Sequence, residues 1–222
     1  TKASTAPGNL VVFNTSTQTV TFTFGSASVE GNFSQYIIYY KAGSSGVAIT
    51  DTAITSSTNA SLGLINYNTA TSTSITGLAT STQYVFNIWA YDNFRNTAAV
   101  SEVIFYTLAN IPSAPTLSNQ TTTTVDIAIT SGDTNPATVE YAIQETGSNN
   151  YVQADGTLGP SVVWATKVAW GTKTIVGLTA NTAYTFKVKA RNGNNVATDF
   201  SSTTSITTLA NNVTALLFLI PQ

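Results

Sequence analysis

Apolar and polar residues alternate strictly along two stretches of the chain. Tyr84, Phe86, Ile88 and Ala90 fall on one side of the first stretch, and Tyr184, Phe186, Val188 and Ala190 on one side of the second. A period of two predicts half-buried β-strands with the apolar side turned to a core. Each strand follows the same lead. One copy reads Ile75-Thr76-Gly77-Leu78-Ala79-Thr80-Ser81-Thr82-Gln83-Tyr84, the other Ile175-Val176-Gly177-Leu178-Thr179-Ala180-Asn181-Thr182-Ala183-Tyr184. At an offset of about 100 residues, the repeat makes the chain two copies of one domain. A Gly-Leu turn shortly before a Tyr at the head of a strand fits a tyrosine corner, in which the hydroxyl bonds back to upstream backbone and pins the crossing between two sheets.

Shorter apolar runs complete each copy. The first has strands predicted at Leu10 to Phe13, Thr19 to Phe24, Gln35 to Lys41, Ser72 to Ile75, Tyr84 to Tyr91 and Val100 to Thr107. The second has them at Thr124 to Ile129, Thr138 to Gln144, Lys173 to Val176, Tyr184 to Arg191 and Val196 to Thr207. Gly, Ser and Asn clusters between the runs supply the turns. Two excursions exceed what a connection needs. Ala42 to Thr71 carries Val47, Ile49, Leu62, Leu64, Ile65 and Tyr67, and Glu145 to Gly171 carries Trp164 and Trp170 on either side of Lys167. Segments of that length usually pack on something or serve a function. Leu108 to Pro112 reads as a short linker, which puts the domains at 1–108 and 109–212. Beyond them, at 213–222, Val213, Ala215, Leu216, Leu217, Phe218, Leu219 and Ile220 form an almost unbroken apolar run. It is too short to span a bilayer. Its lack of alternation predicts a strand buried on both sides.

With these residues in hand, the chain resembles tandem fibronectin type III domains. The resemblance rests on Gly-Leu-x-x-x-Thr-x-Tyr in both copies, on Tyr36-x-Ile38-x-Tyr40, and on Ile111-Pro112-Ser113-Ala114-Pro115-Thr116-Leu117 at the start of the second copy. It implies an all-β fold of two immunoglobulin-like sandwiches, followed here by the C-terminal apolar strand. The family usually carries a Trp late in its second strand, where this chain has Phe24 and Ile129, and a Pro in the corner, where it has Thr80 and Ala180. Those departures point to a divergent, microbial extracellular branch.

Composition narrows the chemistry. The chain holds 222 residues with no Cys and no His, which removes disulfides, thiolate metal sites, cysteine nucleophiles and the commonest general base. A formal net charge of −2 with 8% charged residues gives no electrostatic footprint for nucleic acid. Ser and Thr make up roughly a quarter of the chain, well above ordinary usage, which suits exposed strands and turns outside the cell. The chain starts at Thr1 without a secretory leader and reads as a processed or excerpted segment. The five Asn-x-Ser/Thr triplets, at Asn14, Asn32, Asn59, Asn119 and Asn212, match the number chance gives at this Ser/Thr frequency.

No catalytic constellation emerges. The carboxylates fall mostly in predicted turns or on outward strand positions, and no spacing sets two of them across a cleft as glycoside hydrolysis requires. Calcium-loop, phosphate-loop and nucleophile-elbow patterns are absent, and no cofactor is predicted. Lys187, Lys189 and Arg191 alternate outward and read as a solvated face. The outward side of the first domain is different. Ile37, Tyr39, Val85, Trp89, Tyr91, Ile104 and Tyr106 make it apolar, against Ala142, Gln144, Thr185, Lys189, Arg191, Ser205 and Thr207 in the second copy. Such a face calls for a cover, either a partner or the chain's own Ala42 to Thr71 segment. Trp164 and Trp170 either stack on sugar rings or cap the open end of the second sandwich.

The expectation is a non-catalytic, secreted or cell-surface protein in a structural, adhesive role. It would self-associate into a filament or bind another surface protein, with the apolar tail donated as a strand to a neighbouring copy. The alternative is a carbohydrate-binding or spacer module of a secreted polysaccharide hydrolase, with glycans as partners. Nucleic-acid binding and a transmembrane span are not expected.

Overall fold

The computed structural model of the chain describes residues 5–24, 27–29, 31–65, 73–94 and 97–212. The expected C-terminal strand lies outside the described residues, as do Tyr67 of the first excursion and Arg95 and Asn96 of the turn before the last strand of the first copy. Two units emerge, one built mainly on the residues up to Asn110 and the other beginning at Ile111.

In the first unit the strands are β1 (Leu10–Thr15), β2 (Val20–Phe24), β3 (Phe33–Ala42), β4 (Thr52–Ile54), β5 (Thr73–Ile75), β6 (Gln83–Asp92), β7 (Thr97–Ala99) and β8 (Val103–Tyr106). They form two antiparallel sheets, ordered β1-β2-β5 and β4-β3-β6-β7, with β8 also paired to β6. The alternation decides what faces inward. Val20, Phe22, Tyr36, Ile38, Phe86, Ile88 and Ala90 are fully buried, each large one contributing about 1.5–3 kcal/mol. Aromatic rings carry much of this core: Phe22 and Phe105 lie 5.0 and 5.2 Å from Phe86, and Tyr40 stacks on Phe86 at 4.8 Å.

The second unit repeats the plan with β9 (Thr116–Ser118), β10 (Val125–Ala128), β11 (Glu140–Glu145), β12 (Tyr151–Val152), β13 (Leu158–Gly159), β14 (Ala165–Thr166), a four-residue helix α1 (Lys167–Trp170), β15 (Thr172–Ile175), β16 (Ala183–Arg191) and β17 (Thr204–Thr207). Its sheets run β15-β10-β9 and β13-β12-β11-β16-β17, with β14 on β11. Val125, Ile127, Tyr141, Ile143, Ile175, Phe186, Val188 and Ala190 fill the core.

The predicted corner is present in both units, bond for bond. The Ala79 N–H donates to the Tyr84 hydroxyl at 2.9 Å, and the Thr179 N–H to the Tyr184 hydroxyl at 2.9 Å. Gly77 and Gly177 turn the chain with φ of 77° and 74°, a region where a side chain would be strained. Thr107 and Thr208 lock the other side. Each hydroxyl donates to the carbonyl of Ala79 or Thr179, at 2.7 and 2.6 Å, and accepts from the N–H of Thr82 or Thr182, both at 3.0 Å.

The last strand of each copy is shorter than its apolar pattern predicts. In the first unit only β8 of the predicted Val100 to Thr107 pairs, β7 ends just before Val100, and the Asn87 amide donates to the Val100 carbonyl at 2.9 Å in the gap. In the second only Thr204–Thr207 pairs as a strand, and before it the Ser201 N–H and hydroxyl satisfy the carbonyl and N–H of Val188. Side chains thus replace ladder bonds where the strand departs from its neighbour.

Candidate functional site

On the outer side of the first sandwich, Ile37 and Trp89 face one another across β3 and β6. Tyr39 meets Trp89 edge to face at 5.0 Å, and its hydroxyl shares a 2.9 Å hydrogen bond with that of Tyr91. Ile37, Tyr39, Trp89 and Val85 are buried, with Trp89 only 9% exposed, whereas Tyr91 and Tyr106 are half-buried and Ile104 is 47% exposed. Val47, from the Ala42 to Thr71 excursion, packs on the Ile37–Tyr39–Trp89 cluster. Its loop is held by charge. Glu102 accepts the N–H groups of Gly46 and Val47 at 3.1 and 2.6 Å, Lys41 donates to the Gly46 carbonyl and pairs with Asp51 at 3.7 Å, and Asp51 accepts the Ala48 N–H at 2.8 Å. Burial, followed by the bond from Tyr39, pushes the Tyr91 phenol well above its ordinary pKa.

At one end of this face a cleft of about 450 Å³ opens, lined by Ser34, Gln35, Ile37, Tyr91, Asp92 and Asn93. It takes in two of the seven residues the sequence marks as a binding face. The rest of that face is spread between the buried cluster and the partly open β8.

In the second sandwich, packing selects between the two readings of Trp170 and revises that of the lysines. Trp170 is 4% exposed and its indole N–H donates to the Tyr141 carbonyl at 2.8 Å, so it is a core residue and offers no platform for a sugar. Lys187 and Lys189 do not simply point into solvent. The Lys187 ammonium lies 4.2 Å from the Phe200 ring, and that of Lys189 lies 5.0 to 5.5 Å from Phe200, Trp164 and Tyr151. Cation–π attraction holds them there. Trp164, half-buried, is one wall of this lysine-filled cage.

Among the described residues three carboxylates are buried rather than outward: Asp92, Asp133 and Glu145. Asp133 accepts the Tyr141 hydroxyl at 2.8 Å and pairs with the Lys167 ammonium at 2.6 Å, which also lies over the Tyr141 ring. For Glu145, burial alone would raise the pKa. Bonds from the Ser148 hydroxyl and the N–H groups of Ser148 and Gly147 outweigh it and hold the carboxyl below its ordinary range. These groups organise loops. Glu145 shares the strand parity of Tyr141 and Ile143, so alternation alone could have placed it inside, whereas nothing local marks Asp133 or Phe200. Among the described residues no three carboxylates gather to hold a metal ion.

The family profile described as fibronectin type III domain matches residues 5–104. Residues 5–104 form a fibronectin type III domain, and the second unit repeats its fold. A two-domain fibronectin type III segment of chicken tenascin superposes with a TM-score of 0.55 at 14% identity, covering 90% of this chain and 96% of that one; at that identity the likeness speaks for the fold. Chitinase A1 of Niallia circulans is 31% identical over 178 residues, which is 73% of this chain and 24% of that protein. This chain thus spans about a quarter of the length of that protein.

Proposed function

We propose that this pair of fibronectin type III domains is a non-catalytic spacer and contact module in a secreted protein that acts on polysaccharide. The observation that carries the reading is the 31% identity over 178 residues to a protein named as a chitinase. Fibronectin type III domains are in general non-catalytic modules, and the buried acidic groups here are occupied with turns and an ion pair. Hydroxyl-to-backbone bonds pin the frame at both corners without a disulfide. Incubating the purified chain with insoluble chitin and cellulose tests this. Depletion of the chain from the supernatant without new reducing ends is expected; released reducing ends, or indifference to both polymers, would overturn it.

A second reading, a structural or adhesive subunit that self-associates at the cell surface, draws support from β1. This edge strand carries Val11 at 54% and Phe13 at 72% exposure, and an exposed apolar edge favours pairing with another chain. In that reading Val213 to Ile220 is donated to a neighbouring copy, and a chain ending at Asn212 should no longer assemble.

A further inference from the structure

We propose that the first domain binds a neutral sugar unit in the cleft at the end of β3 and β6, which deepens the polysaccharide reading and rests on it. The cleft arises from the backbone. The β3–β6 register shifts between Phe33 and Gln35, so Ser34 is an additional residue, and Gln35 then faces Tyr91 across the ladder. A bulge of this kind interrupts pairing and re-aims neighbouring side chains. On the opposite strand Asp92 and Asn93 begin the turn, tied back by the Asn93 N–H to the Asn32 carbonyl at 3.0 Å.

The lining is chemically two-sided. Ile37 and Tyr91 supply apolar surface, and the Tyr91 ring is held in place through its hydroxyl bond to Tyr39. Ser34, Gln35 and Asn93 supply a hydroxyl and two amides. The Gln35 carbonyl oxygen accepts from the Ser56 N–H at 3.2 Å and the Ser56 hydroxyl at 2.8 Å, which fixes the amide's orientation. Its Nε2 has no partner among the described residues, leaving two donors unspent on a half-buried group. A pyranose has the matching character, an apolar C–H face and a rim of hydroxyls that both donate and accept.

Charge selects among sugars. Among the described residues the lining holds no Lys or Arg and one carboxylate, Asp92, which already accepts the Phe94 N–H at 2.8 Å and the Asn32 amide at 3.4 Å. A uronate or sulfated sugar would meet the negative charge of Asp92 there. A lone carboxylate also falls short of the six or so oxygens a calcium ion requires. The fitting ligand is a neutral hexose or N-acetylhexosamine unit.

Backbone and side-chain amide NMR of the ¹⁵N-labelled 222-residue chain, titrated separately with chitohexaose, cellohexaose and oligogalacturonate, tests the site. At about 20 mM ligand, a range that detects millimolar binding, one or both neutral oligosaccharides should move the signals of Gln35, Tyr91 and Asn93, and the galacturonate should not. Gln35→Met, which keeps side-chain length and removes both donors, should weaken binding about tenfold, and Asn93→Ala about threefold. Unchanged signals elsewhere in the spectrum would show that both variants remain folded. No response to either neutral sugar, or a response to galacturonate alone, would overturn the site. Shifts confined to Tyr151 and Trp164 would also remove it while leaving the polysaccharide reading in place, whereas a chain that neither titrates nor is retained on polysaccharide would fail both.

Discussion

Tyr84 and Tyr184 do the same work 100 residues apart, and each can be weighed by deleting one oxygen. Replacing either with Phe leaves the ring in place and strips the hydrogen bond from the Ala79 or Thr179 N–H. A loss of about 1 kcal/mol per domain is expected in urea unfolding, with an unchanged denaturant slope; no loss would mean that water takes over the hydroxyl's role. Glu145 gives a pH-dependent counterpart. Its pKa is lowered in the folded state, so its contribution is fully present above the ordinary carboxylate range and is lost as pH falls through the lowered value. The stability gap between the wild type and Glu145→Gln should therefore be widest near neutral pH and narrow as the pH falls below the ordinary carboxylate range. A gap that widens in acid would contradict the assignment. The corner tyrosines were legible because residue type and spacing recur together. Asp133 was not, since its partner Lys167 lies 34 residues away and no local pattern joins them.

Strands were legible wherever alternation ran long, as in β3, β6, β11 and β16. Pairing failed to match pattern where a side chain took over a ladder bond: apolar residues from Val100 and from Val196 onward keep a strand-like rhythm, yet Asn87 and Ser201 bond the backbone instead. The cleft was hidden for a related reason. A one-residue bulge at Ser34 leaves almost no trace in composition, though Ile37 and Tyr91 on its wall were already marked by their outward parity. The excursion over the first domain's outer face is held mainly by Glu102. Glu102→Ala should speed hydrogen exchange at Gly46 and Val47 while leaving Ile38 and Ile88 protected. Equal acceleration at all four amides would mean that the loop is part of the core's own cooperative unit.

Taken whole, the chain shows how one sandwich frame carries two different exteriors. The first domain sets Ile37, Tyr39 and Trp89 on its outer sheet and lays Val47 on them; the second sets lysines there and surrounds them with Phe200, Trp164 and Tyr151. In each domain the long excursion packs against this sheet, through Val47 in the first and through Tyr151 and Trp164 in the second. Covered outer sheets support the proposed spacer reading, whereas the exposed apolar edge of β1 supports the self-associating one. Sedimentation velocity on the complete chain over a wide concentration range is the most direct test. The account predicts a single species near 23.3 kDa at every concentration; a sedimentation coefficient that climbs with concentration toward polymers would contradict it.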